Sequence, residues 1–255
     1  MVYTHNLNPI AFSIFNFNIY WYSLAYLIAF IIGGIYAKAI INKINTSFKE
    51  KYVDDFLAYA VIGVLLGGRI GYIFFYNFDY YLNYPIESLK IWKGGMSFHG
   101  GLLGMTYAMY IFSKKKNILF FDVANIVAVC APIGLFFGRI ANFVNGELIG
   151  IATNSNWGIV YNSESPILRH PSQIYEALLE GLFLFFILRF SILNENLRKL
   201  HPCSIFLIFY GFFRFLVEFF REPDEQIGYI LYMISMGQIL CLPMIIFGFI
   251  FLKKR

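Results

Sequence analysis

An all-α polytopic membrane protein with seven transmembrane helices is the fold class that three features of this sequence predict. Hydrophobic residues make up 59% of the 255-residue chain and charged residues only 14%, against roughly 25% charged in soluble domains. Several apolar runs exceed the ~18–20 residues needed to cross a bilayer. Short basic loops separate the runs, so the net charge of +5 belongs to those loops and no nucleic-acid partner is expected.

Taken in order, the apolar runs place spans at about 20–41, 56–76, 96–113, 121–144, 173–193, 203–220 and 229–252. No Lys or Arg precedes Lys38, so the first residues lack the basic n-region of a secretory signal and no cleaved leader is expected. The second span carries Gly63, Gly67 and Gly71 four residues apart, a small-residue row that favours close helix packing, with Arg69 off that row beside Tyr72 and Tyr76. Gly94-Gly95 and Gly100-Gly101 flank His99 where the third span opens. The fourth ends in the polar run Arg139, Asn142, Asn145 and Glu147, and Pro171-Ser172 start the fifth. Residues 146–172 form the largest piece outside the spans and are too short for a core of their own. The chain thus reads as one integral-membrane domain, 1–255, with a small external cap.

Loop charge orients it. Thirteen Lys and Arg (Lys38, Lys43, Lys49, Lys51, Lys114, Lys115, Lys116, Arg189, Arg198, Lys199, Lys253, Lys254, Arg255) fall on one side, and three (Lys90, Lys93, Arg169) on the other. Basic residues collect on the cytoplasmic side, which puts the N-terminus outside and the C-terminus inside. Helical rise then places Arg69 about 20 Å up the second span. Arg139, Arg214, Glu218, Arg221, Tyr22, His99, Gln173 and Glu176 fall in the outer half of the bilayer. A charge at membrane depth costs about 2.5–3.5 kcal/mol even on a lenient scale, so such a gathering points to a site.

In the sixth span Tyr210, Arg214, Glu218 and Arg221 lie on one helical face. Arg214 and Glu218 can neutralise one another, but one glutamate does not balance two arginines. Either Glu176, Glu180 or Glu147 makes up the difference, or the site keeps positive charge for an anion such as phosphate, which guanidinium binds bidentately. His99 reads either as a hydrogen-bond donor or as a general base. Cys130, Cys203 and Cys241 show no metal-like spacing and read as small buried hydrophobes. No metal and no cofactor are expected. A lipid or organic-anion transporter would place polar residues in both halves of the bilayer, and an assembly factor would leave the polar cluster unexplained.

The blocks Gly67-Gly68-Arg69-Ile70-Gly71-Tyr72, Gly94-Gly95-Met96-Ser97-Phe98-His99-Gly100-Gly101, Gly138-Arg139-x-x-Asn142-Phe143-x-Asn145-Gly146-Glu147-x-x-Gly150, Arg169-His170-Pro171-Ser172-Gln173-Ile174-Tyr175-Glu176 and Arg214-x-x-x-Glu218-Phe219-Phe220-Arg221-x-Pro223-Asp224 resemble prolipoprotein diacylglyceryl transferases. Trp21-Tyr22 and Ser235-Met236-Gly237-Gln238 extend the likeness. The resemblance implies a multi-pass enzyme of the bacterial inner membrane, its active site toward the outer leaflet. It would move the diacylglyceryl group of phosphatidylglycerol to the lipobox cysteine of a prolipoprotein, forming a thioether and releasing glycerol phosphate. It also implies that Arg139 binds phosphatidylglycerol and that Tyr22, His99, Asn142, Glu147, Gly150, Tyr210, Arg214 and Glu218 serve activity. Arg221, Arg69 and Glu176 complete the expected binding set. The sequence departs from the family in a short 150–169 segment and in Asn125, where an aspartate is expected.

Overall fold

The computed structural model describes the chain except residues 1, 16, 91–93, 163, 165, 224–228, 231–233 and 253–255. Asp224, Lys93 and the three basic residues at 253–255 therefore lie outside the described residues. Short strands β1 (Tyr3–Thr4), β2 (Ile10–Ile14) and β3 (Phe17–Tyr20) lead directly into helix α1 (Trp21–Ile41). A 3-10 turn precedes α2 (Val53–Tyr76), and the short α3 (Phe78–Asn83) precedes α4 (Phe98–Lys116) and α5 (Phe120–Asn145). Strands β4 (Ile159–Val160) and β5 (Leu168–Arg169) lead to α6 (Ser172–Glu176), a π-helical stretch (Ala177–Phe183) and α7 (Leu184–Leu193). The short α8 (Glu195–Arg198) precedes α9 (Pro202–Val217), which ends in a 3-10 turn (Glu218–Phe220). The hairpin β6 (Tyr229–Ile230) and β7 (Ile234–Ser235) precedes α10 (Met236–Phe251).

Four helical runs among the described residues are long and apolar enough to cross a membrane: Trp21–Ile41, Glu50–Tyr76, Phe120–Asn145 and Pro202–Phe220. The 21 residues of α1 measure about 32 Å, close to the ~30 Å hydrocarbon thickness. The other expected spans coincide with α4, with the run α6 to α7, and with α10. The seventh needs a correction, because Tyr229–Ile230 and Ile234–Ser235 pair as antiparallel strands and the helix begins only at Met236. Hydropathy does not separate a short apolar strand from a helical turn. The boundary comes instead from Ser235, whose hydroxyl caps the helix and whose N–H is capped in return by Gln238.

The chain divides into two compact units, Ala37–Ala124 and the combination of Met1–Tyr36 with Asn125–Arg255. In the first, α2 and α4 touch backbone to backbone along the glycine row. A Cβ on Gly63 would stand 2.7 Å from the Gly104 carbonyl oxygen, and one on Gly71 would stand 2.7 Å from the α-carbon of Gly100. Only a small-residue face permits that approach. Ser97 N–H donates to Gly68 O at 2.9 Å, and Ser97 Oγ accepts from Gly100 N at 3.3 Å to cap α4. Phe48, Phe56 and Phe112 pack edge to face, their centroids 5.2–6.0 Å apart, at the other end of the two helices.

In the second unit, β1, β4 and β5 form a small three-stranded sheet in the order β1-β4-β5. The π-helical stretch runs close against α5. A Cβ on Gly181 would lie 2.7 Å from Phe136 Cβ, so α5 presses against the chain there. Glu180, beside Gly181, thereby comes within reach of Arg139, one turn beyond Phe136. Leu184, Leu188 and Ile192 on α7 are fully buried beneath it.

Candidate active site

Three helices of the second unit bring three arginines and three glutamates into one buried cluster. Arg139 on α5 pairs through Nε with Glu176 Oε2 at 2.9 Å and through Nη2 with Glu180 Oε2 at 3.5 Å. Arg214 on α9 pairs through Nη1 with Glu176 Oε1 and, at 3.8 Å, with Glu180 Oε1, and through Nη2 with Glu218 Oε2 at 2.7 Å. Arg221 Nη1 lies 3.9 Å from Glu176 Oε1. Glu176 and Glu180 have no solvent exposure. Three positive charges against three negative ones make the ionised cluster neutral. Of the counter-charges the sequence offers, Glu176 and Glu180 are the ones paired with these arginines, while the Glu147 carboxylate is held by Asn145.

Neutrality makes burial tolerable, because an unpaired charge here would cost several kcal/mol of desolvation. The arrangement also holds guanidinium groups, which suit phosphate, in a dry setting where each contact counts for more than in water. Tyr210, buried one turn before Arg214, is within electrostatic reach of Arg139, Arg214, Glu176 and Glu180.

The turn after α5 is bound to the neighbouring elements. Gly146 and Leu148 take positive φ values of 68° and 55°. Glu147 N–H donates to Asn142 O at 3.1 Å, Gln173 Nε2 donates to Glu147 O at 2.6 Å, and Ser172 Oγ donates to Leu148 O at 2.9 Å. Tyr161 donates to Gln173 Oε1 at 3.0 Å, and burial pushes this loop phenol up to about 12. Asn142 is buried. Glu147 itself is exposed, its carboxylate held by Asn145 Nδ2. Gly150 N–H donates to His170 O, and Ile151 N–H donates to Phe220 O. A Cβ on Gly150 would lie 2.6 Å from that Phe220 oxygen, so any side chain would part the loop from the end of α9. Near the start of α1, Tyr22 Oη is 3.2 Å from Tyr26 Oη, and Tyr22 is within electrostatic reach of Glu147 and Arg139. Ten of the expected residues thus lie in the second unit, on or beside α1, α5, α6 and α9: Tyr22, Arg139, Asn142, Glu147, Gly150, Glu176, Tyr210, Arg214, Glu218 and Arg221.

Arg69 and His99 belong to the other unit. His99 stands half-buried in the first turn of α4. Arg69 is buried, and all five of its N–H donors go to backbone carbonyls. Nε donates to Ser88 O at 2.8 Å, Nη1 to Gly94 O and Gly95 O at 2.6 and 3.3 Å, and Nη2 to Glu87 O and Lys90 O at 2.7 and 3.4 Å. Its guanidinium also sits 5.1 Å from the Tyr81 ring centroid. The side chain therefore organises the loop that leads into His99. Arg69→Lys leaves at least two of these carbonyls without a donor, at about 3 kcal/mol, which corresponds to a fall of roughly 6–12 °C in thermal midpoint. Measured in detergent, an unchanged midpoint would refute this loop-holding role.

The sequence alone offers Glu180 only as one possible counter-charge and gives no role to Ser235 or Gly237. The four-residue spacing of Glu176 and Glu180 is the available signal for the first. Ser235 leaves the local trace of a capping box with Gln238, but its contact with Glu218, like that of Gly237, is long-range and leaves none.

Comparison with known proteins gives a family for the chain. Residues 9–253 match the family model for prolipoprotein diacylglyceryl transferase. A protein of Rickettsia bellii (strain OSU 85-389) is 47% identical over 251 residues, covering 98% of this chain and 95% of its own length. Proteins of Rickettsia canadensis and Rickettsia conorii are 48% and 49% identical over 245 residues, each covering 95% of both chains. All three are named phosphatidylglycerol–prolipoprotein diacylglyceryl transferase.

Proposed function

The chain belongs to the prolipoprotein diacylglyceryl transferase family, and from that membership we propose that it transfers the diacylglyceryl group of phosphatidylglycerol to the lipobox cysteine of prolipoproteins. The observation that carries the reading on the side of the structure is the buried cluster of Arg139, Arg214 and Arg221 with Glu176, Glu180 and Glu218.

The substrate's thiol is the nucleophile. Its sulfur attacks the glycerol carbon of the diacylglyceryl group, the carbon–oxygen bond to phosphate breaks, and glycerol phosphate leaves with the bonding electrons. The leaving phosphate gains negative charge as that bond breaks, and guanidinium donors fixed beforehand stabilise it without reorganising. Arg139 holds the phosphate in this scheme, with Arg214 and Arg221 opposite. Glu176 and Glu218 fix the guanidinium planes. Tyr22, Asn142, Tyr210 and Glu147 supply polar contacts to the lipid head or the lipobox, and Gly150 keeps the loop close. A thiol of pKa ~8.5 needs only a modest base: His99 takes its proton, or His99 places a thiolate that has already lost its proton to water and is stabilised beside Arg214. Arg69 serves binding through the loop it holds.

The whole chain, 1–255, acts as one inner-membrane transferase in this reading. It has seven crossings, its N-terminus outside and its site opening to the outer leaflet, where a translocated lipobox arrives. The test is to incubate the purified protein with labelled phosphatidylglycerol and a lipobox peptide. A labelled thioether on the cysteine is the expected product, and its absence at any peptide concentration sinks the proposal.

A further inference from the structure

Glu218 is gripped on both sides of its carboxylate. Oε2 meets Arg214 Nη2 at 2.7 Å, while Oε1 accepts from Ser235 Oγ at 2.9 Å. The serine hydroxyl has little freedom to turn. It accepts the N–H of Gln238 at 3.2 Å, so its proton is left for the carboxylate. Ser235 N–H donates in turn to Gln238 Oε1 at 3.1 Å, which closes a capping box at the start of α10. One hydroxyl thus caps a helix and orients a buried carboxylate.

Gly237 stands directly against that carboxylate. A Cβ there would lie 2.6 Å from Glu218 Cδ and 3.0 Å from Oε2. Gly237 is not among the described glycines with positive φ, so the backbone does not demand glycine. The atoms it would strike are the far end of a side chain that can swing aside. Alanine at 237 is therefore compatible with the fold and incompatible with the present position of Glu218. A glycine needed for where a carboxylate sits, and not for how the chain folds, belongs to the placement of the site.

We propose that Ser235 and Gly237 are positioning residues that hold Glu218 against Arg214 for the transfer reaction. The inference rests on the transferase reading above and extends it to a helix that contributes no residue to the cluster itself. If Glu218 swings away, Arg214 loses its Nη2 anchor and keeps only Glu176 and Glu180 on Nη1, so its guanidinium plane is no longer fixed.

The experiment uses the full-length protein in phosphatidylglycerol vesicles, with kcat and KM measured for a lipobox peptide and thermal midpoints measured in detergent. Gly237→Ala and Ser235→Ala should each lower kcat by about tenfold, up to the ~100-fold that a 1 Å misplacement at a site can cost, while Gly237→Ala still unfolds in one cooperative transition, its midpoint lowered by no more than that of Glu218→Gln. Ser235→Thr, which keeps a capping hydroxyl, should restore most of the rate. Gln238→Ala removes the reciprocal half of the cap without touching Glu218 and should leave kcat near the parental value. Parental kcat in Gly237→Ala, or equal losses in Gln238→Ala and Ser235→Ala, would overturn the proposal. A parent protein that forms no thioether would overturn the transfer reading instead. Positioning is then judged on stability alone: Glu218→Gln should lower the midpoint in the parent and have little further effect on Gly237→Ala. An equal drop in both backgrounds overturns it.

Discussion

Arg214→Lys should lower kcat/KM for transfer to a lipobox peptide by about 100-fold or more, equivalent to about 2.7 kcal/mol of transition-state stabilisation. Charge is conserved in this substitution, so the loss isolates geometry. Arg214 reaches Glu176 and Glu180 with one terminal nitrogen and Glu218 with the other. A lysine offers a single nitrogen on a flexible stem and cannot bridge carboxylates presented to two edges of a planar fork. Whatever phosphate contact the guanidinium makes is lost at the same time. Lys199→Arg, at an exposed position near the start of α9, is the control and should stay close to the parental rate. If Arg214→Lys is as active as that control, Arg214 is a structural counter-ion and the phosphate has to be held elsewhere.

Which parts of this site can be read from the sequence follows from the range over which each contact acts. Arg214 and Glu218 are spaced four apart, and helical periodicity alone pairs them, as found at 2.7 Å; Arg221, expected on the same helical face, lies instead in extended backbone past the helix end, bridged to Gly150. The glycine row of α2 likewise predicts close packing, and Gly63 and Gly71 do meet α4 backbone to backbone. Arg69 shows the limit. Its motif suggests a binding role, yet the partners of its guanidinium are carbonyls 18–26 residues further along the chain, and no local pattern announces a backbone acceptor. The β6–β7 hairpin reads as helix in the sequence because an apolar run carries the same hydropathy in either form. In the wide turn at Ala177–Phe183 Gly181 lies against Phe136, an approach that no spacing rule encodes. Periodicity thus locates the charged faces, while the contacts that aim them come only with the fold.

The neutrality of the cluster makes each of its carboxylates matter for stability, and Glu176 most of all. This carboxylate meets all three arginines, Arg139 at 2.9 Å, Arg214 through its other oxygen and Arg221 at 3.9 Å, with no exposure to water. Glu180 meets two of them, at 3.5 and 3.8 Å. Removing one partner of a buried ion pair typically costs about 3–5 kcal/mol, because the charge left behind is neither solvated nor matched. Glu176→Ala leaves three guanidinium groups facing two carboxylates and should fall in that range, a drop of roughly 6–20 °C in thermal midpoint in detergent. Glu180→Ala leaves the same net charge but breaks longer contacts, so its midpoint should fall by less. The surplus positive charge in Glu176→Ala is also what an anionic lipid head can neutralise. Anionic phosphatidylglycerol should therefore raise the midpoint of Glu176→Ala more than that of the parent, and a zwitterionic lipid should not. Equal recovery with both lipids would show that the lost carboxylate only held helices together, and that the cluster does not bind the phosphate of the substrate.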